Sequence, residues 1–185
     1  MNDSTLSAEV TKPYAQALMS IAQDNAIADQ LGAEATQLLE VLASSDELTQ
    51  FLANPLVEAE PKKAVLRQIA DGQVNPTLLN FLLLLVDRGR IVFMKETLQQ
   101  YQVLLRELNQ TVLADVTAAV ELSDAQLDAI RERVQRLTGA RGVELSVQVD
   151  PTLLGGLVVK VGSQVIDASL RGQLRRIGMQ LATAA

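Results

Sequence analysis

The chain contains neither cysteine nor histidine among its 185 residues. Without cysteine there are no disulfides and no thiolate zinc sites, and without histidine the commonest general base and the commonest metal ligand are missing. Enzymatic chemistry would have to rest on Asp, Glu, Lys, Ser or Tyr. The sequence therefore predicts no catalytic residue, no metal site and no cofactor.

Aromatic residues are also scarce, at 3% of the chain with no tryptophan, and the net charge is −6. The charge is uneven: residues 1–109 hold 8 basic and 14 acidic side chains, whereas the remainder holds 8 of each. Nucleic-acid binding needs a basic surface and usually stacking aromatics. Both are lacking, so nucleic acid is not an expected partner.

No apolar run is long enough to cross a bilayer. The strongest run, LLNFLLLLV at residues 78–86, is about half of the roughly 20 residues that a spanning helix needs. The first ten residues, MNDSTLSAEV, have neither the basic start nor the apolar centre of a signal peptide. These features predict a cytoplasmic or equivalent interior compartment.

The composition is that of a folded protein, with 48% hydrophobic residues. From about residue 5 to 108 the apolar residues recur at helical spacing, which predicts six helices in a compact antiparallel bundle, with a domain over residues 1–108. The expected boundary signals are as follows: a first helix from Thr11 with Pro13 in its first turn, a Ser44/Glu47 capping box, a helix from Pro61 to Gly72, and a helix from Asn75-Pro76 to Gly89.

Near Gln110 the period changes to two. TVLADVTAAVEL alternates, with Val112 to Leu122 on one face of a predicted strand. A helix from a Ser123/Gln126 capping box to Gly139 follows, then the strand VELSVQV, a hairpin turning at residues 162–164, and a last helix over about 169–181. The predicted fold class is mainly α, with a small C-terminal α+β domain over residues 109–185.

The glycine pair Gly155-Gly156 invites a phosphate-binding interpretation. Phosphate-binding glycines lie between a strand and the start of a helix, whereas this pair precedes a strand and lacks a following Walker-type lysine. A bulge or a close backbone approach explains the pair better, and Gly162 serves the hairpin turn.

Carboxylates occur in pairs at Asp46/Glu47 and Glu58/Glu60. Each pair falls at the start of a predicted helix, where the helix dipole favours negative charge, so capping is expected rather than acid–base catalysis. Asp24 and Asp29 could bind a hard cation in principle, but no calcium-loop pattern supports that interpretation.

The fifth helix is apolar nearly all round. A peripheral helix needs only one buried face, so its surplus either packs against neighbouring helices or faces another protein. The first helix carries Ala15, Ala17 and Ala22 beside its stripe of Val10, Tyr14, Leu18 and Ile21. A groove between these two helices would suit an amphipathic partner helix.

The last helix combines Arg171, Arg175 and Arg176 with an apolar stripe of Leu170, Leu174, Ile177 and Leu181. Such a helix either packs its stripe on its own sheet or lies on an acidic partner or membrane surface. Packing on its own sheet is the preferred interpretation.

Three segments together resemble a known family: PYAQAL at residues 13–18, LLLLVDRGRI at 82–91, and above all DPTLLGGLVVKVGSQVIDASLRGQL at 150–174. In the family's order they are similar to the delta subunit of F-type ATP synthases, a relative of the mitochondrial oligomycin sensitivity-conferring protein. The segment LRELNQTVLADV resembles the photosynthetic branch most.

This resemblance implies a non-catalytic stator subunit of the peripheral stalk. Such a subunit links the catalytic head to the b-type stalk and holds the head still while the rotor turns, so that rotation drives ATP synthesis from the proton gradient. The family's N-terminal domain receives N-terminal helices of the alpha subunit between its first and fifth helices, and its C-terminal part meets b-type stalk subunits. The implied location is peripheral, through the complex, on the cytoplasmic or stromal side of a thylakoid or plasma membrane.

Carried over to this sequence, the resemblance implies two sets of residues. The expected alpha-binding residues are Tyr14, Ala17, Leu18 and Ile21 on the first helix, Phe81 and Leu84 on the fifth, and Arg90 at the groove's end. The expected structural or stalk-contact residues are Gly156, Asp167, Arg171 and Arg175.

Two other functions are compatible with the residues alone. A general helical adaptor would dock a different amphipathic peptide in the same groove, and an enzyme relying on Asp or Glu is a more distant alternative. Co-purification with ATP synthase subunits would separate stator from adaptor, and specific nucleotide binding would favour the enzyme.

Overall fold

The structure is a computed structural model that describes residues 3–70 and 74–175, with side chains from residue 9 onward. The chain forms two compact units, Met1–Leu105 and Arg106–Ala185. The first is helical and the second is built around a small sheet, which confirms the predicted fold class.

Six helices make up most of the first unit. They are α1 (Asp3–Asp24), α2 (Ala28–Ser44), α3 (Asp46–Ala53), α4 (Ala59–Ala70), α5 (Pro76–Asp87) and α6 (Met94–Leu108), with a 3₁₀ turn at Ile91–Phe93 before α6. The last three residues of α6 lie beyond the boundary of the unit.

The core of the first unit is mostly leucine. Leu31, Leu78, Leu82 and Leu98 are wholly inaccessible to solvent. Tyr101 is equally buried, and its hydroxyl donates a hydrogen bond to the carbonyl of Ala28 at 2.9 Å. The apolar stripes read from the sequence therefore meet in one core, as amphipathic helices require.

Two helices begin earlier than predicted, one by about eight residues and the other by two. Helix α1 begins at Asp3 rather than near Thr11, so Pro13 lies inside it. Proline lacks the N–H that would bond to the Glu9 carbonyl, but Pro13 and Glu9 are both exposed and water can hydrate that carbonyl. Helix α4 begins at Ala59 rather than Pro61; Pro61 still falls in the first turn, whose N–H groups have no helical partner.

The cap of α3 lies one residue later than the capping box predicted at Ser44/Glu47. Ser44 ends α2, and Ser45 caps α3 by accepting a hydrogen bond from the Leu48 N–H at 3.2 Å. The sequence pattern favoured Ser44, because Ser44 has Glu47 three residues later whereas Ser45 has Leu48, so the cap at Ser45 is formed without a capping box. The cap at Asn75, with Pro76 as first helical residue, is confirmed, while Gly72 lies outside the described residues.

The second unit is a four-stranded sheet in the order β2-β1-β3-β4. Its strands are β1 (Thr111–Ala118), β2 (Gly142–Val149), β3 (Leu157–Val161) and β4 (Gln164–Asp167). β1 and β2 are parallel and joined by α7 (Asp124–Thr138), and the other two pairings are antiparallel. This sheet has one helix, α7, between its parallel strands, as parallel pairing requires a crossover.

Helix α7 packs Ile130 and Val134 against Ala114, Val116 and Val159 of the sheet. The predicted signals at both its ends are confirmed, namely the Ser123/Gln126 capping box and Gly139 with φ +68°. The prediction that β1 extends to Leu122 is wrong, because both neighbouring strands end at the level of Ala118. Beyond that level Val120 has no strand to pair with and is 68% exposed.

Candidate partner-binding site

Helices α1 and α5 meet through an aromatic contact. The rings of Tyr14 and Phe81 lie 6.5 Å apart, edge to face, with 66° between their planes. This is a favourable geometry for two aromatic rings. The structure thus brings together the two helices on which the sequence placed the alpha-binding groove.

The side chains beside this contact differ in exposure. On α1, Ala17 is exposed and Ile21 is 46% exposed. On α5, Leu84 lies one helical turn from Phe81 and is 44% exposed. We call Tyr14, Ala17, Ile21 and Leu84 the α1/α5 surface; three of its members are apolar and open to solvent.

Two residues that the resemblance assigned to partner binding are buried in the free chain. Leu18 is 1% exposed and Phe81 is 7% exposed, and both pack in the core of the first unit. Leu18 is turned about 100° around the helix from Ala17, so the two cannot share one face. Their contact with a partner stays a prediction.

Most of the apolar side chains of α5 pack against neighbouring helices. Leu78, Phe81, Leu82, Leu85 and Val86 are buried, and Leu79 and Leu83 are half-buried. Leu84 is the large side chain of this helix left open to solvent. Arg90 is exposed beyond the end of α5, where its N–H donates to the Leu85 carbonyl at 2.7 Å.

In the second unit, Gly156 marks a close backbone approach, as predicted. Its φ is +77°, and a Cβ there would lie 2.3 Å from the Ala168 carbonyl oxygen. Any side chain would collide with the segment that leads into the last helix. Gly156 is therefore a structural position rather than part of a phosphate site.

Asp167 holds the start of the last helix, which the structure describes over residues 170–175. Its carboxylate accepts hydrogen bonds from the Ser169 N–H at 2.9 Å and the Ser169 hydroxyl at 2.6 Å. The Ser169 hydroxyl oxygen in turn accepts from the Gly172 N–H at 3.0 Å. This chain of bonds satisfies helix N-terminal donors, so Asp167 has a structural role.

The basic side of the last helix is open to solvent, since Arg171 and Arg175 are both exposed. In the described part of the apolar stripe, Leu170 is 48% and Leu174 is 62% exposed, and packing of the whole stripe on the sheet stays a prediction. Arg176, Ile177 and Leu181 lie outside the described residues.

Hydrogen bonds from the Thr152 backbone and side chain lower the pKa of nearby Asp150, and the positive charge of Arg171 contributes.

Two buried charged side chains were missed by sequence reasoning. Glu34 is 8% exposed and accepts hydrogen bonds from the Asn75 N–H at 2.8 Å and from Gln30 at 2.9 Å. Lys62 is 7% exposed and donates to the Asn54 carbonyl at 2.7 Å, at the end of α3. Glu34 falls on the apolar stripe of α2, and a carboxylate at such a position is the signal that could have revealed it.

Within the described residues, no group of three or more carboxylates is placed to hold a metal ion, and this includes the region of Asp24 and Asp29. The helices described there also lack the length and apolar character needed to cross a bilayer.

Comparison with known proteins identifies the family. The profile of the ATP synthase delta (OSCP) subunit family matches residues 10–181. The chain belongs to this family. It is 50% identical to the ATP synthase subunit delta of Trichodesmium erythraeum (strain IMS101) over 97% of this chain and 99% of that one. It is also 50% identical to the subunit delta of Synechocystis sp. (strain ATCC 27184 / PCC 6803 / Kazusa) over the full length of both.

The fold is shared with a solved structure as well. A chain in the cryo-EM structure of the Toxoplasma gondii mitochondrial ATP synthase hexamer superposes with a TM-score of 0.73 at 20% identity, covering 93% of this chain and 97% of that one.

Membership of the delta (OSCP) family confirms the resemblance read from the sequence, including its photosynthetic branch. The chain is a non-catalytic, peripheral subunit of an F-type ATP synthase and part of its stator stalk. Its surfaces are therefore to be understood as joints between subunits, not as an active site.

Proposed function

We propose that the α1/α5 surface is the joint at which this subunit receives an N-terminal helix of the ATP synthase alpha subunit. The observation that carries this is the Tyr14–Phe81 contact, which joins the helix that carries exposed Ala17 and Ile21 to the helix that carries exposed Leu84. A small residue between larger apolar ones lets a partner helix approach closely, in the mode of a helix in a groove. Arg90 would lie at the end of this joint.

We further propose that residues 109–185 form the joint to b-type stalk subunits, with residues 1–108 serving the alpha subunit. Gly156 and Asp167 would act by positioning the last helix, and Arg171 and Arg175 would contact acidic groups on the stalk. A stator transmits torque, so two joints on separate cores allow each contact to be stabilised independently.

The same proposal places the subunit on the cytoplasmic or stromal side of a thylakoid or plasma membrane, held there through the complex. The support is the likeness to subunit delta of cyanobacteria such as Synechocystis sp. (strain ATCC 27184 / PCC 6803 / Kazusa).

Titration calorimetry of the full chain with a synthetic N-terminal helix of the cognate alpha subunit tests the upper joint. We expect one-to-one binding that Ala17→Asp weakens by about 3 kcal/mol, or roughly a hundredfold in Kd, because the new carboxylate would be buried without a partner. The domain should remain folded, since Ala17 is exposed in the free chain.

Gln16→Asp is the matched control, because Gln16 is also exposed on α1 but is turned about 100° away from Ala17. Binding by this variant should equal that of the wild type. Equal affinity for Ala17→Asp and the wild type would show that the alpha helix does not use this surface.

A further inference from the structure

We propose that Lys63 on α4 is a positioning residue for the proposed alpha joint, although it lies outside the α1/α5 surface. It acts through an ion pair with Asp87, the last residue of α5, and so holds the turn that presents Leu84. The inference rests on the proposed function of the α1/α5 surface, and it adds α4 to the helices that shape the joint.

Asp87 occupies an unfavourable position for an acidic residue. It is the last residue of α5, where the helix dipole favours positive charge, and the last turn of this helix contains no basic residue. A carboxylate at such a position is stabilised best by a cation from another element of the fold.

Lys63 supplies that cation from α4. Its amine lies 2.5 Å from the Asp87 carboxylate and 3.2 Å from that of Glu60, and its side chain is 15% exposed. The hydrogen bond to Asp87 raises the pKa of Lys63, and the bond to Glu60 contributes, so the amine is charged at neutral pH. Glu60 belongs to the same helix as Lys63. Of the two ion pairs, the one with Asp87 is therefore the one that joins two helices.

This ion pair holds the part of α5 that carries the joint. Leu84 lies three residues before Asp87, which places it about 4.5 Å along the helix and about 60° around it. Beyond Asp87 the helix closes at Gly89, whose φ is +62°, and the Arg90 N–H donates to the Leu85 carbonyl at 2.7 Å. Fixing Asp87 therefore sets both the rotation of Leu84 about the helix axis and the point at which Arg90 leaves the helix.

The leucine core alone sets this rotation less strictly. Leu78, Leu82 and Leu85 hold α5 by burial, and the hydrophobic effect has no preferred direction. An ion pair with a hydrogen bond does have a preferred geometry. The contact between Lys63 and Asp87 is thus suited to define the orientation of a helix that the core keeps in place.

Titration calorimetry of the full chain with a synthetic N-terminal helix of the cognate alpha subunit tests the inference. Lys63→Met and Asp87→Asn nearly keep the shapes of the side chains, and each should weaken Kd about fivefold. The two changes shift the net charge in opposite directions, so a loss of affinity in both reports the lost contact rather than an altered charge near the joint.

A double variant tests whether Lys63 acts through Leu84. Leu84→Ala should itself weaken Kd, because it removes an apolar member of the α1/α5 surface. Adding Lys63→Met to Leu84→Ala should have little further effect, since the position of a side chain matters only while that side chain is present.

Two control variants separate positioning from stability. Glu60→Gln removes the ion pair within α4 and should bind like the wild type, because Asp87 still holds Lys63. Lys62→Met removes the hydrogen bond to the Asn54 carbonyl, which involves no residue of α5. It should lower the urea midpoint of unfolding yet leave Kd unchanged.

The outcomes separate this inference from the proposed function. If Ala17→Asp weakens binding while Lys63→Met and Asp87→Asn bind like the wild type, the joint stays and Lys63 has no part in it. Opposite effects of the two charge variants would assign the change to electrostatics and overturn the inference. So would a loss for Lys63→Met that adds fully to that of Leu84→Ala, or that Lys62→Met reproduces. Equal affinity for Ala17→Asp and the wild type would overturn both proposals.

Discussion

Tyr101 fastens α6 to the start of α2 through a single hydrogen bond in the core. Its side chain is wholly buried, and the hydroxyl donates to the Ala28 carbonyl. Burial raises the pKa of Tyr101 to about 12, and the negative charge of Asp29 contributes to the rise. The neutral phenol is therefore the form that the folded state stabilises.

The raised pKa predicts how stability depends on alkaline pH. In the unfolded chain a tyrosine titrates near 10, so the full contribution of Tyr101 is present below about pH 10. The contribution is lost as pH rises toward the folded pKa of about 12. The difference between a pKa of about 10 and one of about 12 corresponds to about 3 kcal/mol as an order of magnitude, and urea unfolding at pH 9 to 12 would measure it.

The titration itself is readily isolated. The chain has two tyrosines, so Tyr14→Phe leaves Tyr101 as the source of the tyrosinate absorbance. A midpoint near 10 in the folded protein would contradict the prediction. Tyr101→Phe should flatten the alkaline loss of stability, although it also leaves the Ala28 carbonyl without its donor.

At the scale of elements, the start of α5 is held from two directions. The Asn75 side chain accepts from the Thr77 N–H at 2.9 Å, and the Asn75 N–H donates to Glu34 of α2 at 2.8 Å. Both bonds satisfy backbone donors at the helix start that have no helical acceptor. Glu34 thereby fixes the position of the helix that presents Leu84 at the proposed alpha joint.

Glu34→Ala should destabilise the first unit by about 1 to 3 kcal/mol, because it leaves the partly buried Asn75 N–H without its acceptor. Glu34→Gln keeps one acceptor oxygen and should cost less. Urea unfolding measures the stability, and hydrogen exchange at residues 75–78 reports the local effect. Glu40→Ala, on the exposed side of the same helix, should be nearly neutral. An equally small effect for Glu34→Ala would mean that the bond does not hold α5 in place.

The starts and ends of helices were predictable where the capping signal consists of residues close together in the sequence. Asn75-Pro76 and the Ser123/Gln126 box depend on neighbours within four residues, so the sequence contains the information needed to place them. The start of α1 was not predictable in this way. A proline signal favours a first turn, but an exposed helix tolerates the missing hydrogen bond at Pro13.

The site was predictable only in part, for a tertiary reason. The family resemblance led to α1 and α5, but periodicity could not say which members of the α1 stripe stay open to solvent, since Leu18 and Ile21 lie on the same stripe and only Leu18 is buried. Likewise, the alternation of β1 predicted one buried face of a sheet. It could not tell that β1 lies between β2 and β3, because strand order is set by tertiary pairing rather than by local alternation.

At the scale of the whole molecule, the chain has two separate hydrophobic cores. One is the helical core that contains Leu98, and the other is the sheet core that contains Val134. None of the described residues belongs to both cores. Each core therefore stabilises its own unit, and a substitution in one core need not change the stability of the other unit.

Leu98→Ala tests this independence. Removing a wholly buried leucine should destabilise the first unit by about 2 to 5 kcal/mol, because it loses apolar burial and leaves a cavity. Hydrogen exchange in the full chain should accelerate in α1, α2 and α5, while the amides of β1 and β3 keep their protection. Val134→Ala is the reciprocal change and should affect only the second unit.

The result bears on how a stator can work. If the two cores are independent, Leu98→Ala should weaken alpha binding without altering stalk binding, and the torque path is a series of separately stable joints. Helix α6 crosses the boundary of the units at residues 105 and 106, so it is the element through which they could be coupled. Loss of protection in β1 on Leu98→Ala would show such coupling and contradict the independence of the two joints.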